Sequence, residues 1–225
     1  MSSNKIENRF NKSYIGLRSD LLKYIEGNSN SILDVGCAVG ANGHFLLENH
    51  IANIVYGIEF NKVMASKAQK NNTKVFLGDL NSENFRKEVL SQSIKFDYII
   101  FGDILEHLIY PLQVLKELKA LLKPEGKVIL SLPNIAHVEL FIQVYLKGTF
   151  PQNSRGIFDK THLRWFTRKD VFKLIKDSDL KPITYERKYR SRDAIGSKFD
   201  WKYKLLRLIN KDLVTFQHII VCEHA

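Results

Sequence analysis

Ile32-Leu33-Asp34-Val35-Gly36-Cys37-Ala38-Val39-Gly40-Ala41-Asn42-Gly43 decides the fold. An apolar run ends on an acidic residue, a turn of small residues follows, and a helix opens beyond Gly40. Small residues let a ligand approach the backbone, and a helix N-terminus presents free N–H groups. Two phosphate-binding readings fail at this point. The dinucleotide fingerprint needs glycine at positions 36, 38 and 41, where the chain has Gly36, Ala38 and Ala41, and a G-x-x-x-x-G-K-[ST] loop is absent.

On either side of this stretch, short apolar runs alternate with helical patterns. Strands are predicted over residues 31–35, 54–59, 74–77, 96–101 and 127–132, with helices over 42–49, 61–70, 82–90 and 111–122. This alternation specifies βαβ units and a parallel sheet covered on both faces. Upstream, Ile15, Leu17, Leu21, Leu22 and Ile25 recur at mostly helical spacing and predict a packing helix over 14–26. Residues 1–30 are thus an N-terminal packing segment and 31–225 the main domain. Pro124-Glu125-Gly126 reads as a turn with positive φ available at Gly126. Beyond Pro133 comes an insertion, residues 133–166. Thr167 then caps a helix, and strands follow over 182–189 and 215–222, separated by a second insertion at 190–212.

Composition and charge bound the class. The 225 residues are 44% hydrophobic and 26% charged, which excludes disordered, collagen-like and coiled-coil chains. The polar start lacks a signal-peptide core, and no run reaches the ~20 apolar residues of a membrane span, so a soluble cytoplasmic protein is expected. Cys37 and Cys222 read as free thiols. Of the net charge of +10, residues 147–225 supply +9, with 18 Lys+Arg against 9 Asp+Glu. The last third is therefore expected to meet phosphate, nucleic acid or an anionic membrane surface, unless it is a solvated face.

With Asp34, Gly36 and Gly40 in place and Ala38 for the middle glycine, the quoted stretch resembles the D-x-G-x-G-x-G motif of class I S-adenosylmethionine-dependent methyltransferases. Glu59 closes the second strand, Gly78-Asp79-Leu80 follows the third, Gly102 follows the fourth, and Lys123-Pro124-Glu125-Gly126 precedes the fifth. The resemblance implies a Rossmann-like α/β fold, a seven-stranded, mostly parallel sheet with an antiparallel last strand, carrying the two insertions as caps. It also implies that Asp34 and the Gly36, Ala38, Gly40 loop hold the methionine end of the cofactor, S-adenosyl-L-methionine. Glu59 would accept from the ribose hydroxyls, Asp79 from the adenine amino group, and the backbone of Leu80 would meet the adenine edge. A diol and an amine are donors, so carboxylates suit them.

On the acceptor side, Asp103, Glu106 and His107 fall at i, i+3 and i+4 of a predicted helical turn, on one face at the carboxyl end of the sheet. The Leu105-Glu106-His107 run is similar to that of small-molecule and sugar O-methyltransferases. His107 is the candidate general base, with His162 next in line and His137 behind it. A metal held by Asp103, Glu106 and His107 is an alternative, though no metal is the favoured reading. The run from Gly156 to Thr167 is similar to a G-x-x-D-x-T-H-x-R-x-F-T segment associated with bacterial polysaccharide and glycolipid assembly. In an extended segment His162 and Arg164 face the same way and, with Asp159, line the pocket mouth. Trp165 and Phe166 anchor the loop. Residues 201–209 predict an amphipathic cationic helix, expected to pack its apolar face on the domain as a lid, or to rest on an anionic membrane or grip a phosphorylated carrier. The expected function is O-methylation of a sugar, glycan precursor or other small polar acceptor, phosphorylated or lipid-linked. The alternatives are an RNA methyltransferase, disfavoured by the missing Asn/Asp-Pro-Pro-aromatic run, and a non-catalytic binding module.

Overall fold

A computed structural model describes residues 16–92, 94–193 and 201–225. In chain order the elements are α1 (Ser19–Leu22), β1 (Asn30–Val35), α2 (Ala41–Glu48), β2 (Ala52–Glu59), α3 (Lys62–Ala68), β3 (Lys74–Leu77), α4 (Glu83–Leu90) and β4 (Phe96–Gly102). These continue with α5 (Pro111–Lys119), β5 (Leu122–Pro133), α6 (Val138–Leu140, extended by a π-helical stretch Phe141–Leu146), α7 (Arg168–Asp177), β6 (Leu180–Tyr189), α8 (Trp201–Ile209) and β7 (Thr215–His224). Among the described residues no helix is long and apolar enough to cross a membrane.

The seven strands form one sheet in the order β3-β2-β1-β4-β5-β7-β6. The first five are parallel, and β7 runs antiparallel to both β5 and β6. The expected topology is thus present. The central strands read as unbroken apolar runs because both sheet faces are covered. Successive side chains alternate between two cores: Leu33, Phe101 and Leu130 pack in one, and their neighbours Ile32, Ile100 and Ile129 in the other. Chain order reverses between β1 and β4, and the crevice at such a switch point, at the carboxyl ends of the strands, is where open α/β sheets bind ligands.

Three local expectations are corrected. The helix over 14–26 is one turn, α1, in its described part, while Tyr14 and Ile15 lie outside the described residues. The chain leaves the helix after Leu22, and the Lys23 ammonium and Tyr24 hydroxyl both bind Glu186 of β6. Pro124-Glu125-Gly126 lies within β5, where the pairing with β4 jumps from Phe96↔Leu122 to Tyr98↔Lys127. A bulge there tolerates the missing N–H of Pro124. Gly126 serves close approach, since a Cβ would lie 2.7 Å from Leu122 Cγ. Finally, α8 does not pack its apolar face on the domain. Trp201, Leu208 and Ile209 are exposed, no residue of the helix is buried, and Arg207 reaches back over the Tyr189 ring at 4.2 Å. Residues 194–200 of the second insertion lie outside the described residues.

The first cap insertion is a closed loop. Asn134 bridges Phe166, the Ile135 N–H donates to the Phe166 carbonyl at 3.0 Å, and the Asn134 amide donates to the Asp212 and Thr215 carbonyls. The reciprocal Thr167–Asp170 capping box then starts α7.

Candidate active site

The loop after β1 is bent by Gly36 at φ +78°, Ala38 at +48° and Gly40 at +77°. Gly36 is favoured by its left-handed backbone, and Gly40 is required twice over, by left-handed backbone and by space, since a Cβ on Gly40 would lie 2.5 Å from the Asn72 amide nitrogen. This curl turns the Ala38 N–H toward Glu59, whose Oε2 accepts it at 2.9 Å while Oε1 accepts the Asn61 N–H at 2.7 Å. Each carboxylate oxygen keeps a lone pair for another donor. Burial raises the Glu59 pKa, partly offset by those N–H groups. Asp34 is fully buried, accepts from the Asn42 amide at 3.1 Å, and burial pushes its pKa up to about 6. Asp79 uses one oxygen for Asn81, accepting from its backbone N–H at 2.8 Å and its side-chain amide at 3.0 Å.

Over these strand ends lie two cavities of about 390 Å³ and 360 Å³. Asp34, Ala38 and Gly102 line the first, Asp79 and Leu80 the second, and Gly36, Glu59, Ile104, His107 and Thr161 line both. Volumes in the range of about 300–1,000 Å³ are usual for small-molecule sites. A third cavity of about 370 Å³ adjoins them, lined among others by Arg18, Asp103, Glu106, His107, His162 and Gln217. His107 lines all three.

Asp103 does not share a helical face with Glu106 and His107. It sits at φ +57° before a 3-10 turn, Leu105–His107, so the three side chains reach the third cavity without a common helix. Its carboxylate accepts from Arg18 at 2.6 Å, Ser131 at 2.8 Å and Gln217 at 2.5 Å. Burial opposes the Arg18 charge, but Asp103 and Asp20 outweigh it and hold the guanidinium firmly protonated. Glu106 is buried, and burial raises its pKa well above the usual carboxylate range, with Asp103 adding. Its carbonyl docks the cap by accepting the Leu163 and Arg164 N–H groups at 2.8 and 3.0 Å.

The His107 tautomer follows from its neighbours. The Thr161 hydroxyl donates to Asp159 Oδ1 at 2.6 Å, so both Thr161 oxygens facing His107 Nδ1, the carbonyl at 3.2 Å and Oγ1 at 3.1 Å, act as acceptors. Nδ1 therefore carries the proton and Nε2 the lone pair. Burial lowers the His107 pKa, opposed by the Thr161 carbonyl and by Asp159 and Asp103, and the ring is neutral at physiological pH. His162 packs edge-on against His107 at 4.8 Å between centroids, and burial and His107 lower its pKa to about 4. Glu106 Oε2 and His162 Nδ1 are buried without a hydrogen-bond partner among the described residues. Glu106, His107 and His162 bring one ligand atom each within 4.8 Å of one another, a geometry open to a metal ion.

Three expected residues lie outside these cavities. Asp159 is buried and closes a turn by accepting the Thr161 N–H at 2.8 Å. That turn breaks the extended geometry assumed for His162 and Arg164: His162 is buried, while Arg164 is exposed and donates to the Ile109 carbonyl at 2.8 Å. His137 caps α6, its Nδ1 accepting the Glu139 N–H at 3.0 Å and its Nε2 donating to the Arg190 carbonyl at 2.7 Å. Both nitrogens are spent, so His137 is no reserve base. Phe166 anchors the loop as expected, whereas Trp165 is 46% exposed. Arg18, Ser131 and Gln217 were missed, although an antiparallel last strand sets Gln217 opposite Pro133, at the carboxyl end of β5.

The chain is similar to solved structures and to curated relatives. It is 22% identical to the PH0226 protein of Pyrococcus horikoshii OT3, with a TM-score of 0.58, covering 91% of this chain and 86% of that one. Magnesium protoporphyrin IX methyltransferase (ChlM) of Synechocystis PCC 6803, with bound SAH, is 16% identical at a TM-score of 0.58, covering 88% and 75%. A ubiquinone biosynthesis O-methyltransferase of Glaesserella parasuis serovar 5 is 27% identical over 171 residues, 66% of this chain and 70% of the relative. Such relatives are spanned only in part, down to about half their length for that of Coxiella burnetii, at 49%. The family model described as a methyltransferase domain matches residues 6–185, most of the chain, and the protein belongs to that family.

Proposed function

We propose that this enzyme is an S-adenosylmethionine-dependent methyltransferase that methylates a hydroxyl oxygen of a sugar or other small polar acceptor, with His107 as general base. The cofactor's demands match what the clefts offer. Glu59 keeps lone pairs for the ribose hydroxyls, Asp79 for the adenine amino group, and Leu80 lines the same cleft. Asp34 and the left-handed 36–40 loop sit under the remaining cleft, beside Arg18, whose charge suits a methionine carboxylate. When bound, S-adenosylmethionine would supply an electrophilic methyl group to the acceptor oxygen, its sulfur keeping the electron pair of the C–S bond.

The observation that carries this reading is His107 at the junction of the three cavities, its proton fixed on Nδ1. Nε2 takes the hydroxyl proton as the oxygen attacks. Asp103 and Asp159 favour the resulting imidazolium. Most of the acceleration comes from holding the two reactants in line, with proton removal second. The polar lining of the third cavity, Arg18, Asp103, Glu106 and Gln217, suits a hydroxylated acceptor better than an apolar ring.

The buried, unpartnered Glu106 and His162 atoms favour one second reading, in which Glu106, His107 and His162 hold a divalent cation that binds the acceptor oxygen. A labelled-methyl assay across sugars, nucleotide sugars, catechols and RNA, with product NMR and parallel chelator-treated samples, tests both. An O-methyl product that survives chelation supports the base mechanism, and chelator-sensitive turnover restored by a divalent cation supports the metal. Methylation confined to RNA would overturn the small-acceptor reading.

A further inference from the structure

Part of the third cavity's wall comes from the first insertion and the end of β6, and among the described residues it carries two cations that make no salt bridge. Arg18 pairs with Asp20 and Asp103, and Lys188 with Asp20 at 3.2 Å. Arg155 and Arg190 line the same cavity, yet among the described residues neither has a salt bridge or a side-chain hydrogen bond. The Arg190 guanidinium lies over the Phe216 ring, 3.9 Å from its centroid. Its main chain is pinned on both sides, the N–H donating to the Val214 carbonyl at 3.0 Å and the carbonyl accepting from His137 Nε2 at 2.7 Å. His137 thus holds this corner and leaves the chemistry to His107.

Asp193 is the carboxylate at this corner, and it accepts the Ile157 N–H at 2.9 Å. Gly156 makes that approach possible: at φ +81°, a Cβ there would lie 2.2 Å from Asp193 Oδ1. One partly committed carboxylate stands beside half-buried Arg190, and the charge of Arg155, itself exposed, opposes that of Arg190. A second positive charge beside the half-buried Arg190 is unfavourable until an anion joins the two.

We propose that Arg155 and Arg190 form a subsite for a phosphoryl group carried by the acceptor, an inference that rests on the acceptor-cavity assignment above. A carboxylate has two oxygens and saturates one guanidinium fork, whereas a phosphoryl group has oxygens enough for two. The phosphoryl group belongs either to a terminal monoester or to a diphosphate joining a sugar to its carrier.

Calorimetry tests the subsite without knowledge of the acceptor. Wild type, Arg155→Gln/Arg190→Gln and Arg155→Lys/Arg190→Lys are each titrated with S-adenosylhomocysteine, then with inorganic phosphate, pyrophosphate, glucose 1-phosphate, acetate and glucose. Wild type is expected to bind at least one phosphorylated probe about tenfold or more tighter than acetate and glucose, with the preference falling as salt rises. The glutamine pair should abolish the preference and the lysine pair weaken it, with S-adenosylhomocysteine affinity unchanged. Phosphate and glucose 1-phosphate binding best indicates a monoester, and pyrophosphate binding best a diphosphate. No preference in wild type, or one that survives in the glutamine pair, overturns the proposal. Loss of S-adenosylhomocysteine binding by wild type would instead defeat the cofactor reading and leave the probe comparison to judge the subsite alone.

Discussion

Asp34→Asn should stabilise the protein while weakening cofactor binding, and the structure sets both magnitudes. The Asp34 carboxyl is buried beneath the 36–40 loop, and its pKa rises from 3.8 to about 6. That rise corresponds to about 3 kcal/mol between the two protonation states. Because the folded pKa is the higher one, the native state holds the proton more tightly than the unfolded chain. This contribution is present in full below pH 3.8 and is lost as pH climbs through about 6. Near neutrality the wild type therefore carries a buried charge with one side-chain hydrogen bond, from Asn42. A neutral amide keeps an oxygen for Asn42 and removes the charge. Urea unfolding of the ligand-free proteins at about pH 8 should show the variant more stable by about 1–3 kcal/mol, and the difference should vanish at about pH 4. Calorimetric titration with S-adenosylhomocysteine should show binding weaker by about 1.5–3 kcal/mol, as for a lost charged hydrogen-bond partner. A variant destabilised equally at both pH values, or one that binds as well as wild type, would refute the reasoning.

Glu59→Gln should weaken S-adenosylhomocysteine binding by about 1.5–3 kcal/mol, because an amide cannot accept on both sides while Ala38 and Asn61 donate to it. Unchanged affinity in calorimetry would move the ribose contact elsewhere. Gly156→Ala should destabilise the fold by about 1–3 kcal/mol in urea titrations, since φ is +81° and the new Cβ would strike Asp193. Adding Asp193→Ala should relieve the steric part of that loss, and no relief would mean that backbone strain dominates. Arg164→Ala should leave S-adenosylhomocysteine affinity unchanged and loosen the cap, read as faster amide exchange at Leu163, because Arg164 ties the cap to the Ile109 carbonyl outside the cavities.

The sequence already groups Asp34, Glu59 and Asp79, the residues proposed for the cofactor, because their signals are local. Asp34, Glu59 and Asp79 each sit at or just past a strand end, and parallel register brings consecutive strand ends to one edge of the sheet. The acceptor half was less legible. His107 and His137 look alike in sequence, and what separates their surroundings is a pair of distant carbonyls, those of Thr161 and Arg190. The i, i+2 pairing of His162 with Arg164 failed because the Asp159–Thr161 turn ends the extended geometry it assumed. Pro124 and Gly126 carry turn chemistry, yet a bulge absorbed them into β5. The periodicity of α8 marks it as amphipathic, but periodicity does not say what covers an apolar face.

Turnover as a function of pH, at saturating cofactor and with the best hydroxylated acceptor, tests the role of His107 most directly when wild type is set beside His107→Gln. Burial lowers the His107 pKa, so wild-type turnover should rise with unit slope through a limb below the usual histidine pKa of about 6.5 and then stay flat. His107→Gln should lose that limb and fall by about 10²–10⁴ while S-adenosylhomocysteine affinity holds. A variant that keeps the acid limb, or whose loss of turnover is matched by loss of cofactor binding, would contradict the account.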